Sequence, residues 1–237
     1  MRLQTRLQAV FLDRDGTLIH NYHYCRDPRL VRLLPGVGPA LRTLAQAGYR
    51  LIVVTNQSGI ARGYLTERDL AAVHDRLRRL LAVEGVTLHA IYYCPHHPNG
   101  LRAGYAGRCL CRKPEPGLLL RAAAEWGISL RHSWYIGDVL ADIEAGNRAG
   151  CRTVLLDLGT EPVPDRRVQT PSFVARNLPH AARLILAADG HSREHVEPLP
   201  LMALDRPRLS QGNLRPGDPS PIPTAQWSIQ AALEGSL

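Results

Sequence analysis

Short apolar runs alternate with longer amphipathic segments along the first 190 residues of the chain. The apolar runs predict β-strands near residues 9–13, 49–55, 88–93, 133–136 and 153–156. The amphipathic segments predict helices near residues 37–47, 67–83, 117–126, 142–149 and 179–188. Strands that are apolar almost throughout are typical of a parallel sheet covered by helices on both faces. The pattern therefore predicts a doubly wound α/β fold with a mostly parallel, Rossmann-like sheet, whose ligands bind beyond the carboxyl ends of the strands.

This alternation stops near residue 190. Residues 191–237 hold seven of the 18 prolines and show no comparable pattern. A segment of this composition buries too little apolar surface to fold by itself. We therefore expect one domain over residues 1–190 and a proline-rich, largely disordered tail over residues 191–237.

The charge of the chain favours a small anionic ligand. The formal net charge is +8, and the arginines are scattered rather than gathered in a basic tail or a stripe with interleaved aromatics. We expect no nucleic acid partner on this basis. Of the 29 basic residues one alone, Lys113, is a lysine. Since arginine serves at most solvated positions, Lys113 is a candidate for a site where a compact ammonium matters.

The hydropathy pattern also indicates where in the cell the protein is expected. No apolar run approaches the roughly 20 residues of a membrane-spanning helix, and the apolar stretch near the N-terminus is short for a secretory signal. We expect a cytoplasmic protein without a membrane partner, and a monomer.

Two aspartates close the first predicted strand, in the sequence Asp13-Arg14-Asp15-Gly16-Thr17. Carboxylates two residues apart at a strand end face one site, and their repulsion is relieved by a divalent cation such as Mg²⁺. One of them is then suited to attack phosphorus and the other to protonate a leaving oxygen. The alternative is a DxDG turn in a solvent-exposed loop.

Three further segments lie at the ends of predicted strands or just before a helix. They are Thr55-Asn56-Gln57-Ser58, Arg112-Lys113-Pro114 and Gly137-Asp138 followed by Asp142. Hydroxyls and backbone N–H groups suit phosphate oxygens, and lysine and aspartate suit a phosphate and a metal ion. Each segment alone is compatible with a helix cap, a surface charge or a turn. Their occurrence in this order indicates a single phosphoryl-transfer site.

The four segments resemble the four motifs of the haloacid dehalogenase superfamily of phosphatases. Within it, the chain resembles the subfamily of heptose bisphosphate and histidinol-phosphate phosphatases through the stretches FLDRDGT, VVTNQSGIARG, YYCPHHP, CRKPEPG and IGDVLAD. The resemblance covers roughly residues 8–188. It implies a phosphatase domain without a separate cap domain, acting on a small phosphorylated sugar. The implied reaction is removal of the 7-phosphate of D-glycero-D-manno-heptose 1,7-bisphosphate, with histidinol phosphate or a broad range of sugar phosphates as alternatives.

The resemblance also implies catalytic roles. Asp13 would be the nucleophile that forms an aspartyl-phosphate, and Asp15 would be the general acid and then the general base. Thr55 and Lys113 would hold the transferring phosphoryl group.

A catalytic Mg²⁺ is implied as well. Its ligands would be the Asp13 carboxylate, the backbone carbonyl of Asp15 and Asp138. Asp142 would orient either Lys113 or the water shell of the metal.

Substrate contacts are expected from one loop and from residues next to the motifs. The candidates are Asn21, Tyr22, His23, Tyr24, Asn56, Gln57, Ser58 and Arg112. Asn21 and His23 stand where the resembling enzymes typically carry an acid and a glycine, which leaves the substrate and its anomer open. Arg112 is suited to grip a second phosphate through two hydrogen bonds.

Four residues form a second constellation, Cys94-Pro-His96 and Cys109-Leu-Cys111. Three thiolates and an imidazole match a closed, tetrahedral, structural Zn²⁺ site. A disulfide is the alternative, but nothing in the sequence suggests an oxidising compartment. His97 competes with His96 as a ligand, and the family pattern favours His96. We expect zinc to pin the 94–111 loop beside the phosphoryl site.

Part of this pattern is also compatible with a different class of function. Basic charge and a zinc loop would also describe a nucleic-acid-binding module. That reading leaves the four aspartates unexplained, since acids around one site repel a phosphodiester backbone unless a metal is bound.

Overall fold

The computed structural model describes residues 7–201, and their apolar segments form a six-stranded parallel sheet. The strands are β1 Ala9–Leu12, β2 Arg50–Asn56, β3 Ala90–Cys94, β4 Trp134–Gly137, β5 Arg152–Leu156 and β6 Phe173–Ala175. Their order across the sheet is β3-β2-β1-β4-β5-β6, which confirms the predicted doubly wound α/β fold. The order reverses at β1, so a ligand site is expected above β1, between β2 and β4.

Five helices cover the two faces of the sheet. They are α1 Val37–Gln46, α2 Glu67–Val83, α3 Gly117–Trp126, α4 Leu140–Ala149 and α5 Leu178–Ala188. Successive residues of β1 point to opposite faces: Val10 and Leu12 pack in the layer that contains α1, α2 and α5, while Ala9 and Phe11 pack in the layer that contains α3. Because both faces are buried, β1 is apolar at every position.

The start of α2 follows from its local sequence. Thr66 Oγ1 accepts a hydrogen bond from Asp69 N at 3.1 Å, and Asp69 Oδ2 accepts one from Thr66 N at 2.8 Å. This reciprocal capping box satisfies backbone donors that have no partner inside the helix. The predicted helix start at this position is confirmed.

Two elements differ from the sequence-based prediction. The sheet has a sixth strand, β6, which has three residues and lies at the edge, too short to give a periodic pattern. Helix α4 begins at Leu140 instead of Asp142: the Asp142 carboxylate accepts from Val139 N at 3.3 Å within the first turn, and the Glu161 carboxylate accepts from Leu140 N at 2.7 Å. The Glu161 cap comes from a distant loop, which the local sequence does not reveal.

The first part of the expected tail lies against the domain. Leu199 N donates to Val174 O at 2.8 Å, and His180 Nε2 lies 2.9 Å from Glu197 O. Val196 and Leu201 also pack on apolar clusters of the domain. Residues 196–201 of the predicted tail therefore make ordered contacts with the predicted domain, whereas residues 202–237 lie outside the described residues; the boundary at residue 190 and the disorder of the tail stay predictions. None of the helices within residues 7–201 is long and apolar enough to cross a membrane.

Two truncations test where the domain ends. Ending the chain after Gly190 removes the contacts of residues 191–201 and should lower the free energy of unfolding by about 1–3 kcal/mol. Ending it after Leu201 should leave the thermal midpoint of the full chain unchanged. Calorimetry of the three proteins measures both effects, and equal midpoints for the two truncations would show that residues 191–201 contribute nothing.

Candidate active site

The turn after β1 is locked against the end of β4. Asp13 N donates to Ile136 O at 2.9 Å, and Thr17 Oγ1 donates to Asp138 Oδ1 at 3.1 Å. Gly16 lies between them with a φ of 79°, and a Cβ at this position would lie 2.2 Å from Asp138 Oδ2. Only glycine lets the turn pass so close to Asp138. The pairing of β1 with β4 and these contacts bring Asp13, Asp15 and Asp138 to the same edge of the sheet.

A buried lysine ties this edge together. Lys113 Nζ lies 2.6 Å from Asp13 Oδ1, 2.5 Å from Asp142 Oδ1 and 3.2 Å from Val54 O. Burial alone would lower the pKa of Lys113, but the carboxylates of Asp13 and Asp142 outweigh it and hold the pKa well above its usual range. The single lysine of the chain is therefore a charged group inside the protein. Of the two roles expected for Asp142, the contact with Lys113 is the one that the structure displays.

Asp142 is completely buried and is held from several sides. The Tyr135 hydroxyl lies 3.2 Å from Asp142 Oδ1, and Val139 N donates to Asp142 Oδ2 at 3.3 Å. A Cβ on Gly137 would lie 2.2 Å from the same Oδ2, so this position also requires glycine. Burial raises the pKa of Asp142 to about 6 in spite of the ammonium of Lys113.

Three carboxylates gather around this one ammonium. Oxygens of Asp13, Asp138 and Asp142 all lie within 4.8 Å of one another. Burial, together with the charges of Asp13 and Asp142, raises the pKa of Asp138 to about 8. A second cation would relieve this excess of negative charge, and oxygen donors are those that Mg²⁺ prefers. Two of the three, Asp13 and Asp138, are expected magnesium ligands, so the residues present fit a magnesium ion at this position.

Asp15 is held by a network that includes a buried arginine. Arg14 Nη2 donates to Asp15 Oδ2 at 2.8 Å and to Gln57 Oε1 at 3.0 Å, and Gln57 Nε2 donates to Asp15 Oδ2 at 2.9 Å. Gln57 Nε2 also lies 2.9 Å from Thr55 Oγ1. Arg14 was not among the predicted site residues, because one arginine in an arginine-rich chain carries no signal of burial.

Most of the predicted site residues line a single cleft of about 220 Å³. It is lined by the predicted residues Asp13, Asp15, Asn21, Tyr22, His23, Tyr24, Thr55, Asn56, Gln57, Ser58, Lys113 and Asp138. The structure thus brings together nearly all the expected catalytic and substrate-binding positions.

Asn56 and Arg112, which were predicted to contact the substrate, are placed differently from the other predicted contacts. The Asn56 side chain accepts from Lys113 N at 3.1 Å and donates to Lys113 O at 3.2 Å, so it fixes the backbone that carries the lysine. Arg112 lies outside the cleft, in a neighbouring cavity of about 580 Å³ that it shares with Arg108. Lys113 borders both cavities, which places Arg112 beside the cleft.

The cysteine cluster also forms as expected. Cys94 Sγ lies 3.2 Å from Cys111 Sγ and 3.5 Å from Cys109 Sγ, and His96 Nδ1 lies 3.3 Å from Cys111 Sγ. All of the cysteines are free thiols, so the alternative of a disulfide is not what the structure shows. His97 is engaged elsewhere, with Nε2 3.0 Å from Arg62 Nη2. Three sulfurs and one imidazole at these spacings surround a point suited to a tetrahedral metal ion.

Comparison with known proteins gives consistent results. A family model described as HAD-hydrolase-like matches residues 110–181. The D-glycero-beta-D-manno-heptose-1,7-bisphosphate 7-phosphatase of Yersinia pestis is 38% identical over 179 residues, which cover 76% of this chain and 95% of that protein. The protein with the same name from Photorhabdus laumondii is 40% identical over 172 residues, which cover 73% and 92% of the two chains.

Solved structures of similar proteins share the fold. The crystal structure of D,D-heptose 1,7-bisphosphate phosphatase from B. bronchiseptica, complexed with magnesium and phosphate, has a TM-score of 0.65 and 32% identity. The match covers 77% of this chain and 99% of that one. The corresponding structure from Burkholderia thailandensis has a TM-score of 0.54 and 27% identity, over 76% of this chain and 99% of that one.

The raised pKa of Asp138 predicts pH-dependent binding of Mg²⁺. Below about pH 8 the metal-free protein holds a proton on this carboxyl group, and Mg²⁺ must displace it. The affinity should therefore fall as the pH falls from 8.5 to 6.5, by up to about tenfold per pH unit. Titration calorimetry in buffers of different ionisation enthalpy counts the released protons.

A matched substitution controls this experiment. Asp138→Asn should abolish both the binding and the proton release, while Asp165→Asn changes an exposed acid and should alter neither. An affinity that does not vary with pH would contradict the prediction.

Proposed function

Because the chain belongs to the HAD-like hydrolases, and within them to the family of the heptose 1,7-bisphosphate 7-phosphatases, we propose that it removes the 7-phosphate of D-glycero-D-manno-heptose 1,7-bisphosphate. The observation that carries the proposal is the buried Lys113 ammonium against Asp13, two residues that line a cleft of about 220 Å³. A fixed positive charge beside a carboxylate suits an anionic reaction centre, because phosphoryl transfer depends mainly on positioning and charge neutralisation.

Asp13 is the proposed nucleophile. Its Oδ1 is held by Lys113, and within residues 7–201 its Oδ2 makes no hydrogen bond, so this oxygen is available to attack phosphorus. The new Asp13 O–P bond forms as the P–O bond to the sugar alkoxide breaks. Hydrolysis of the aspartyl-phosphate then restores Asp13 and releases phosphate.

Asp15 is the proposed proton carrier. It gives a proton to the leaving alkoxide, and it takes one from the water that attacks the aspartyl-phosphate. Arg14 and Gln57 fix the direction of its carboxyl group through the hydrogen bonds described above. Thr55 and Lys113 line the same cleft and hold oxygens of the transferring group.

Asp142 positions the lysine. Since it touches Lys113 Nζ and is completely buried, it acts on the phosphoryl group through that ammonium. Mg²⁺ would be held by Asp13, Asp138 and the backbone carbonyl of Asp15, and would neutralise charge on the transferring phosphoryl group.

The remaining substrate contacts are proposed from the walls of the cleft. Asn21, Tyr22, His23 and Tyr24 face the sugar from one loop, with Asn56, Gln57 and Ser58 close to the phosphoryl group. Arg112, in the adjoining cavity, is the proposed partner of the second phosphate.

We also infer a structural Zn²⁺ bound by Cys94, His96, Cys109 and Cys111. Burial raises the pKa of the Cys94 thiol, so this thiol stays protonated unless a cation is bound beside it. One residue separates Cys111 from Lys113. A zinc ion bound by Cys111 would therefore stiffen the segment that carries the Lys113 ammonium.

The working form is proposed to be a cytoplasmic monomer that acts on a small phosphorylated sugar and binds no nucleic acid. Free thiols at all cysteines agree with a reducing compartment. Gel filtration checks the oligomeric state.

Phosphate release tests the reaction and its substrate. We expect Mg²⁺-dependent turnover of heptose 1,7-bisphosphate that EDTA abolishes and that exceeds turnover of histidinol phosphate. Asp13→Asn should lower kcat by about 10³-fold or more, because the nucleophile is lost. Asp165→Asn, at an exposed acid far from the catalytic residues in sequence, serves as the control and should stay within about twofold. Preference for histidinol phosphate would keep the mechanism and replace the substrate.

Metal analysis tests the zinc site. The purified protein should contain one zinc per chain, and Cys109→Ser should lose it together with several degrees of thermal stability. Cys151→Ser is the matched control, since Cys151 is buried outside the cluster, and should keep the zinc. Zinc content that is equal in the two variants would count against this ligand set.

A further inference from the structure

The loop that carries Asn21 to Tyr24 forms one wall of the cleft with few contacts of its own. All four of its side chains line the cleft. Within residues 7–201, none of these side chains makes a hydrogen bond to another residue. Backbone hydrogen bonds from Tyr22 N to His20 O and from Cys25 N to Tyr22 O shape the loop, so its side chains are positioned by packing.

Tyr24 has a backbone conformation that needs support. Its φ is 54°, and it is the one non-glycine residue in the described part of the chain with a positive φ. This left-handed conformation is unfavourable for a side chain with a Cβ, and it persists where surrounding contacts hold it.

The support comes from the turn after β2. The ring of Tyr24 lies 4.7 Å from that of Tyr64 between centroids, at an interplanar angle of 52°. Beneath the ring lies Gly59, where an added Cβ would lie 3.0 Å from Tyr24 Cδ1 and 2.1 Å from Leu65 Cδ2. Tyr64 N donates to Gly59 O at 2.8 Å, which fixes the turn that presents both residues. The Tyr24 ring thus occupies a notch formed by Gly59 and Tyr64.

We propose that Tyr64 is a positioning residue that, through Tyr24, fixes the Asn21–Tyr24 loop as the wall against which the sugar part of the substrate packs. Tyr64 is not among the residues that line the cleft, so it acts through its neighbour. Tyr24 keeps 40% of its surface exposed, which leaves apolar ring surface for a ligand. The C–H groups of a sugar pack on such a surface, while the phosphoryl group is bound separately at Lys113.

This inference rests on the proposed function for the identity of the sugar phosphate. It adds that different residues of the cleft act on the phosphoryl group and on the organic group of the substrate. Asp13, Asp15 and Lys113 act on any phosphate ester, whereas the Tyr24–Tyr64 ring pair acts only on esters whose organic group is long enough to reach the loop.

Two substrates of different length separate these contributions in the full-length, Mg²⁺-loaded enzyme. Tyr64→Ala should raise KM for heptose 1,7-bisphosphate by about 3- to 10-fold, the range of an aromatic pair, with kcat within about twofold. Methyl phosphate is an ester whose organic group is a single carbon, too short to reach the loop, and its kcat/KM should stay unchanged. Tyr64→Phe keeps the ring and should behave as the wild type on both.

Other results would overturn the inference. If Tyr64→Ala lowered kcat/KM equally on both substrates, the effect would lie at the reaction centre. If it lowered kcat/KM on neither, the ring pair would have no part in substrate binding. A Tyr64→Phe variant as impaired as Tyr64→Ala would show that the ring is not the cause. If the wild type hydrolyses a different sugar phosphate, the heptose assignment fails while the same comparison tests the ring pair. A wild type that accepts no sugar phosphate overturns both.

Discussion

The rest of the site depends on the burial of one ammonium group, that of Lys113, between the carboxylates of Asp13 and Asp142. Lys113 Nζ is almost inaccessible to solvent, and a buried charge is costly unless partners surround it. Its partners come from the end of β1, from the first turn of α4 and from the carbonyl of Val54 in β2. Three distant parts of the chain must therefore converge within hydrogen-bonding distance. The same arrangement leaves an excess of negative charge, which makes the edge of the sheet receptive to a divalent cation.

Within residues 7–201, loops form the walls around the proposed catalytic residues. The centre of the site belongs to the sheet, while its walls belong to the 20–24 loop and to the segment next to the cysteine cluster. Neither wall contains a regular helix. We propose that the Tyr24–Tyr64 ring pair fixes the first wall and that a zinc ion bound by the cysteine cluster fixes the second. Substrate preference can then change through the loops with little effect on the catalytic residues.

The convergence of the residues proposed as catalytic was predictable, because these residues combine strong local signals with a simple topological rule. Asp13 and Asp138 each follow a buried strand, and parallel strands bring their carboxyl ends to one edge. Lys113 stood out as the single lysine among many arginines. The sequence did not predict a role for Arg14 or Tyr64. The burial of one and the ring contact of the other arise from tertiary packing, which leaves no signal in the local sequence. Strand β6 and the Glu161 cap of α4 were missed for the same reason, since each depends on a segment distant in the chain.

A practical consequence follows from the single buried lysine. Protein grown with lysine labelled at Nζ with ¹⁵N carries one labelled ammonium group, in the centre of the site. Its salt bridges and burial slow the exchange of its protons with water, whereas ammonium groups on protein surfaces exchange rapidly. One nuclear magnetic resonance signal would then report metal binding, phosphate binding and the covalent intermediate in turn, without assignment of any other resonance.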